Sequence, residues 1–245
     1  MQIGDIRSRI VAVLTWALAQ ALPPSVARQV ATELKITMKR SLYSHSSRHR
    51  LAKMQGCRVN IGCGSRATPG WVNLDVFAGP NVHFWDCRRG LPFRSGAVKA
   101  IYSEHMFEHF DPETEARLFL KECWRCLKPG GVLRIVVPDA GAYVRAYGRG
   151  WELLAPMRPL LCDQDGWKDG WLGDVYRTQM QFLNAVFRQG SEHKYAYDEE
   201  TLALNLSEAG FSRVIPQRFG SSIDADMVSD SEDRRTESLY VEAVK

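Results

Sequence analysis

The chain has 245 residues, of which 45% are hydrophobic and 24% charged, values that fit a soluble globular protein with one good core and exclude a disordered or collagen-like chain. Charge is uneven: residues 1–58 hold ten Lys and Arg against Asp5 and Glu33, so with an overall charge of +4 the remainder is net acidic. Cysteines at 57, 63, 87, 123, 126 and 162 show no disulfide framework, and a reducing cytoplasm suits them.

Residues 10–22, IVAVLTWALAQAL, are an apolar run after Arg7 and Arg9 and before Pro23-Pro24. Ala19-Gln20-Ala21 looks like a signal-peptide cleavage triplet. The run is short of the roughly 20 residues that span a bilayer, so a packed or surface-lying helix is expected. From Ser25 to about Leu42, Val26, Val30, Leu34 and Met38 recur at four-residue spacing, which predicts an amphipathic helix. It either covers a sheet or attaches the protein peripherally to an anionic membrane, helped by Lys39, Arg40, Arg48, Arg50 and Lys53. Ser41 to His49 reads as a polar linker, and residues 1–57 together as a basic helical extension.

Arg58-Val59-Asn60-Ile61-Gly62-Cys63-Gly64-Ser65 reads as a buried strand entering a glycine-rich turn. Val59 and Ile61 alternate as strand formers, while Gly62 and Gly64 let a nucleotide-like ligand approach the backbone. Trp71 to Asp75 repeats the pattern and ends on a carboxylate suited to a ribose diol. Asn81 to Asp86 is a third strand ending on a second acid. Only six residues separate Gly64 from Trp71, and six separate Asp75 from Val82. A helical crossover needs about ten to twelve, so these first crossovers are shortened and one sheet face loses cover. The N-terminal helices are the expected replacement.

Leu91-Pro92-Phe93 is a turn and Val98 to Ser103 the next strand. Asp111 and Pro112 mark a helix start, with Ala116, Leu120, Cys123 and Leu127 along one face. Pro129-Gly130-Gly131 ends that helix, and Val132 to Val137 has the continuous apolar character of a central strand. Cys123 and Cys126 have CxxC spacing inside the helix, without a second pair, and read as core. Between 140 and 197, Tyr143, Tyr147, Trp151, Trp167, Trp171, Tyr176, Phe182 and Phe187 suit a lid or a sugar platform, with core packing accounting for about half of them. A capped helix from Asp198 to Ala209 precedes strands at about 212–219 and 238–244. The acidic loop between those strands, through Asp224, Asp226, Asp230 and Asp233, is expected to be solvated.

Taken in order, VNIGCGSRATPGWVNLDV, LPF, SEHMFEHF, LKPGGVLRIVVPD and ESLYVEAVK resemble the class I S-adenosylmethionine-dependent methyltransferases over residues 58–245. Within that class they look like a compact group associated with bacterial surface-polysaccharide synthesis. The resemblance implies an α/β, Rossmann-like, mostly parallel sheet finished by a C-terminal antiparallel strand pair, with S-adenosylmethionine as cofactor. It implies cofactor contacts at Ile61, Gly62, Cys63 and Gly64, at Asp75 and Val76 beside the ribose, at Asp86 near the adenine amine, and at Ser103 and Glu104.

The implied chemistry is methyl transfer to a hydroxyl of a saccharide or glycolipid-type acceptor, which needs a general base. His105 follows the fourth strand, Asp139 follows the fifth and His193 lies on the aromatic segment; His105 ranks first by its position past a strand end. His105-Met-Phe-Glu108-His109 also fits the HxxEH signature of inverted zinc peptidases. That signature needs one helix presenting both histidines, whereas here it begins at a strand end, so no metal is expected. A nicotinamide-dependent oxidoreductase is the nearer rival, but the fingerprint GxGxxG meets Ala67, and Asp75 comes too soon after Gly64 for the usual spacing of about twenty. A catalytically inactive, methyltransferase-like binding protein is the alternative from another class; the intact Gly62, Gly64, Asp75 and Asp86 stand against loss of the cofactor. Nucleic acid is not expected as a partner, because the catalytic part is acidic and shows no NPPY-like or RNA-binding motif.

Overall fold

The computed structural model describes residues 13, 16–17, 20–77, 79–157 and 177–245. Its centre is a seven-stranded sheet in the order β3-β2-β1-β4-β5-β7-β6. The strands are β1 (Cys57–Ile61), β2 (Val72–Asp75), β3 (Val82–Phe84), β4 (Val98–Glu104), β5 (Leu127–Pro138), β6 (Arg213–Gln217) and β7 (Ser238–Val244). β1 to β5 pair in parallel, and β7 runs antiparallel to both β5 and β6. The order reverses between β1 and β4, and the crevice above such a switch point is where open α/β sheets bind ligands.

The two faces of the sheet are covered differently. Val59, Ile61, Leu74, Ile101, Leu133, Ile135 and Val241 point into the main apolar core. Helix α2 (Arg117–Cys126) and helix α3 (Glu199–Glu208) cover that face. α2 buries Leu120 and Cys123, and the helix start is capped as its sequence suggests, Asp111 accepting from Thr114 N at 2.9 Å. Its first turn, Pro112–Ala116, is a π-helix. Cys123 and Cys126 are both fully buried, and burial pushes the Cys126 thiol up to about 12, so the pair is core rather than redox machinery.

The opposite face mixes buried polar side chains with a smaller apolar cluster, Ala100, Tyr102, Val132, Val136, Met227 and Tyr240, and carries no crossover helix at its first two connections. Asn60 and Asn73, both buried, hold the β1–β2 connection instead. Asn60 Nδ2 donates to Arg66 O (3.2 Å) and Thr68 Oγ1 (3.0 Å), while Asn73 accepts from Thr68 N at 2.8 Å. Further along this face Arg134, fully buried, donates from Nε (2.9 Å) and Nη2 (2.6 Å) to Asp230, and from Nη1 (3.0 Å) to Glu242.

Two expectations fail here, for related reasons. The acidic loop between β6 and β7 is only partly solvated: Asp226 stays exposed, but Asp230 pairs with Arg134, Asp224 with Arg58 and Lys99, Asp233 with Arg66, and Met227 is fully buried. The loop is the cover of the helix-poor face, drawn down by basic residues borne on the strands. The N-terminal helix therefore does not fill that place.

That helix, α1 (Pro24–Leu51), is longer than predicted, because the supposed linker from Ser41 to His49 is helical throughout. Tertiary contact overrides weak propensity: Tyr43 meets Phe84 at a ring distance of 6.3 Å, Ser47 is buried, and Leu51 sits in the main core. Arg48, His49 and Arg50 in the last turn also complement the helix dipole. Its buried positions are Ala27, Ala31, Ile36, Ser47 and Leu51, whereas Val26, from the predicted stripe, is 41% exposed. α1 runs past the β3 edge and over the C-terminal ends of the strands. Of the apolar run 10–22, only Val13, Trp16, Ala17 and Gln20 to Leu22 fall among the described residues, and no helix among those is long and apolar enough to cross a membrane.

Candidate active site

A cavity of about 870 Å³ opens above the ends of β1, β2 and β4, within the range of small-molecule and cofactor sites. Ile61, Gly62, Asp75, Val76, Asp86 and His105 line it, so these six predicted site residues are brought together. Gly62 has φ +72°, and a Cβ there would lie 2.4 Å from Met106 Cγ, so glycine is required on both counts. Gly64 has φ +53° with open space beside it. Asp75, 8% exposed, accepts from Gly64 N (2.8 Å) and Phe77 N (2.7 Å), which locks the glycine turn to the end of β2 and leaves carboxylate lone pairs for a diol.

Asp86 is buried and already engaged. Arg88 Nε (2.9 Å), Arg88 Nη2 (3.0 Å) and Arg40 Nη1 (3.2 Å) all donate to it, and Arg88 Nη1 continues to Glu33 at 2.6 Å. Burial works against its charge, yet the two guanidiniums hold the carboxyl below its ordinary value. Arg40 and Glu33 belong to α1, so the extension forms a wall of the cavity. Neither Glu33 nor Arg88 stands out in the sequence as a site residue, although an acid followed two residues later by Arg, as Asp86 is by Arg88, is a visible side-chain clamp.

The remaining predicted residues lie elsewhere. Cys63 and Gly64 sit in the turn behind Asp75, and burial, then the nearby Asp75 charge, pushes the Cys63 thiol up to about 11. Ser103 is fully buried beneath the sheet ends. Glu104 turns to the polar face, accepting from Ser231 N at 3.0 Å and lying 3.5 Å from Arg66. Asp139 caps the helix Ala140–Tyr147, accepting from Ala142 N at 2.8 Å, and is not in the cavity wall.

His105 holds a left-handed backbone, φ +48°, unusual for a residue with a Cβ and a form of strain found at functional sites. Its Nε2 is 2.8 Å from Ser238 Oγ and its Nδ1 3.5 Å from Glu108 Oε1. The same Glu108 oxygen is 3.8 Å from His193 Nε2. Glu108 thus gathers two of the three proposed bases, and only the HxxEH pattern hinted at it. His193 itself lies just behind the wall formed by Glu192 and Lys194.

The aromatic segment packs largely against itself. Tyr143, Phe182, Leu183 and Val186 make a small second core with Trp151 and Phe187, and none of its aromatics lines the cavity. Trp167, Trp171 and Tyr176 lie outside the described residues.

Residues 77–135 match the family described as "Methyltransferase domain". No curated protein sequence matches the chain. Among solved structures it is similar to an S-adenosylmethionine-dependent methyltransferase from Archaeoglobus fulgidus, with 16% identity, 87% of this chain and 94% of that chain covered, and a TM-score of 0.45. Another from Mesorhizobium loti shows 17% identity, 82% and 96% coverage, and a TM-score of 0.42. The family match places a stretch with the character of a methyltransferase domain over residues 77–135. The loop after Gly64 opens no helix, so the phosphate-binding helix terminus of a dinucleotide site is lacking there.

Proposed function

We propose that this protein methylates a hydroxyl of a saccharide or glycolipid-type acceptor, with His105 as general base. The observation that carries the reading is the pairing of His105, in the cavity wall, with the buried Glu108 behind it, Nδ1 to Oε1 3.5 Å. When bound, S-adenosylmethionine supplies an electrophilic methyl group on a sulfonium. The Gly62 backbone and the Asp75 carboxylate, itself held by Gly64 N, would hold it, and alignment of acceptor, methyl and leaving sulfur supplies several kcal/mol. Asp86, with its oxygens clamped by arginines, acts mainly by fixing the cavity wall to α1. His105 Nε2, which faces Ser238 Oγ at 2.8 Å, takes the acceptor proton once the acceptor hydroxyl displaces that serine, as the new O–C bond forms and the C–S bond breaks, while Glu108 beside Nδ1 balances the imidazolium charge.

The cavity mouth supports a polyhydroxylated acceptor. Gln29, Thr32, Glu33, Asp111, Glu115 and Lys194 offer donors and acceptors, and the acids among them oppose a phosphate backbone. The outward Lys35, Arg48 and Arg50 of α1 support peripheral contact with an anionic membrane carrying a lipid-linked acceptor at its cytoplasmic side. Deleting the gene and weighing the cell-surface glycans tests the acceptor class. The expected result is loss of one methyl substituent per repeat; unchanged glycan masses would exclude it.

A further inference from the structure

We propose that Glu108, His109 and His193 form a binding site for a divalent transition-metal ion of the zinc type at the edge of the cofactor cavity. One potential ligand atom from each side chain lies within 4.8 Å of the others. Glu108 and His193 are 1% and 8% exposed, so the set is built into the fold rather than scattered on the surface. His109 lines the cavity, which leaves one side of the cluster open to a fourth, exchangeable ligand.

The details suit a cation. His109 Nδ1 lies 3.2 Å from Glu192 O; a proton on Nδ1 donates to that carbonyl and leaves Nε2 with a free lone pair, the usual outer support of a ligating histidine. His193 Nε2 and Glu108 Oε1 are 3.8 Å apart, longer than a direct hydrogen bond. Two ligands on one tetrahedral zinc, each about 2.1 Å from the ion, stand about 3.4 Å from each other, so closure takes only small side-chain rotations. The His109 and His193 rings meet edge-on, with centroids 4.8 Å apart. Backbone bonds fix the partners, because Glu108 O accepts from Lys194 N at 2.8 Å and from Tyr195 N at 3.3 Å. Two imidazoles and one carboxylate select zinc, iron or manganese over magnesium, which prefers oxygen alone. The ion would replace the expectation of no metal, which rested on where the HxxEH run begins; the third ligand comes instead from a distant segment.

Metal binding itself does not depend on the acceptor. Its catalytic use, acidifying an acceptor hydroxyl at the open position, rests on the O-methylation reading and would stand in for the Glu108–His105 pair, because Glu108 Oε1 serves one of the two partners at a time. The full chain without a polyhistidine tag, stripped with chelator, should be titrated with zinc alone by calorimetry, alongside His109→Ala and His193→Ala. One equivalent is expected for wild type, with affinity falling by at least about 100-fold in either variant. A zinc-induced rise in melting temperature should vanish in His109→Ala, whose partly exposed side chain can be removed with the fold intact. No zinc uptake by wild type overturns the proposal, and so does uptake unchanged in both variants. S-adenosylmethionine titrated into the same samples separates failure of the metal site from failure of the methyltransferase reading.

Discussion

Arg40 Nη1 lies 3.2 Å from Asp86 Oδ2, joining the N-terminal helix to the acid that ends the third strand's turn. With Glu33 on Arg88, this contact makes the extension part of the cofactor cavity. Removing residues 1–53 should therefore abolish S-adenosylmethionine binding and expose the core around the vacated Leu51 place, giving aggregation without lipid. A soluble, cofactor-binding truncation that loses only vesicle association would show the helix to be a membrane anchor alone.

The same clamp sets a pH dependence. The Asp86 carboxyl is held below its ordinary value, so its contribution is present above the unfolded value of about 3.9 and lost as pH falls through the lower folded one. Hydrogen exchange along 24–51 should stay slow from neutral pH to about 4 and rise below that. Exchange already fast at pH 6 would contradict the clamp.

Asp75→Ala removes the acceptor for Gly64 N and Phe77 N as well as the proposed ribose contact. Charge-assisted hydrogen bonds are worth about 1.5 to 3 kcal/mol each, so cofactor affinity should fall at least tenfold and thermal stability should fall with it. Calorimetry reads the first and a melting curve the second; unchanged affinity would place the ribose elsewhere.

Arg134 and Asp230 are both fully buried as side chains. Asp230→Ala should cost about 3 to 5 kcal/mol by leaving a buried guanidinium short of its partner, whereas Asp226→Ala, at an exposed pair, should cost under about 1 kcal/mol. Denaturant melts compare them, and equal small losses would mean the loop does not cover the sheet.

The strand positions, the glycine turn, the Asp111 cap and the Asp198 helix were legible because each rests on local chemistry: period-two apolar runs, positive-φ glycines and side-chain caps. The cover of the polar face was not. Asn60, Asn73 and Arg134 look out of place in strands until the loops that they bind are seen. An acidic run reads as solvated unless its basic partners, here on β1, β4 and β5, are known to face it. In the site, Gly62, Asp75 and His105 could be found by position after a strand. Asp139 and Glu104 occupy equivalent positions yet point into a helix cap and the polar face, a choice that side-chain direction makes and sequence spacing does not. Glu108 became visible only when the fold carried His193 to it.

The central claim is that this cavity transfers methyl groups with His105 as base. Labelled methyl transfer from S-adenosylmethionine to a lipid-linked saccharide extract, at saturating cofactor, tests it for wild type, His105→Ala and His193→Ala. Wild type should label the extract, and His105→Ala should be slower by about 10² to 10⁴-fold with cofactor affinity nearly intact. A His105→Ala rate within about threefold of wild type, or the larger defect in His193→Ala, would contradict the account.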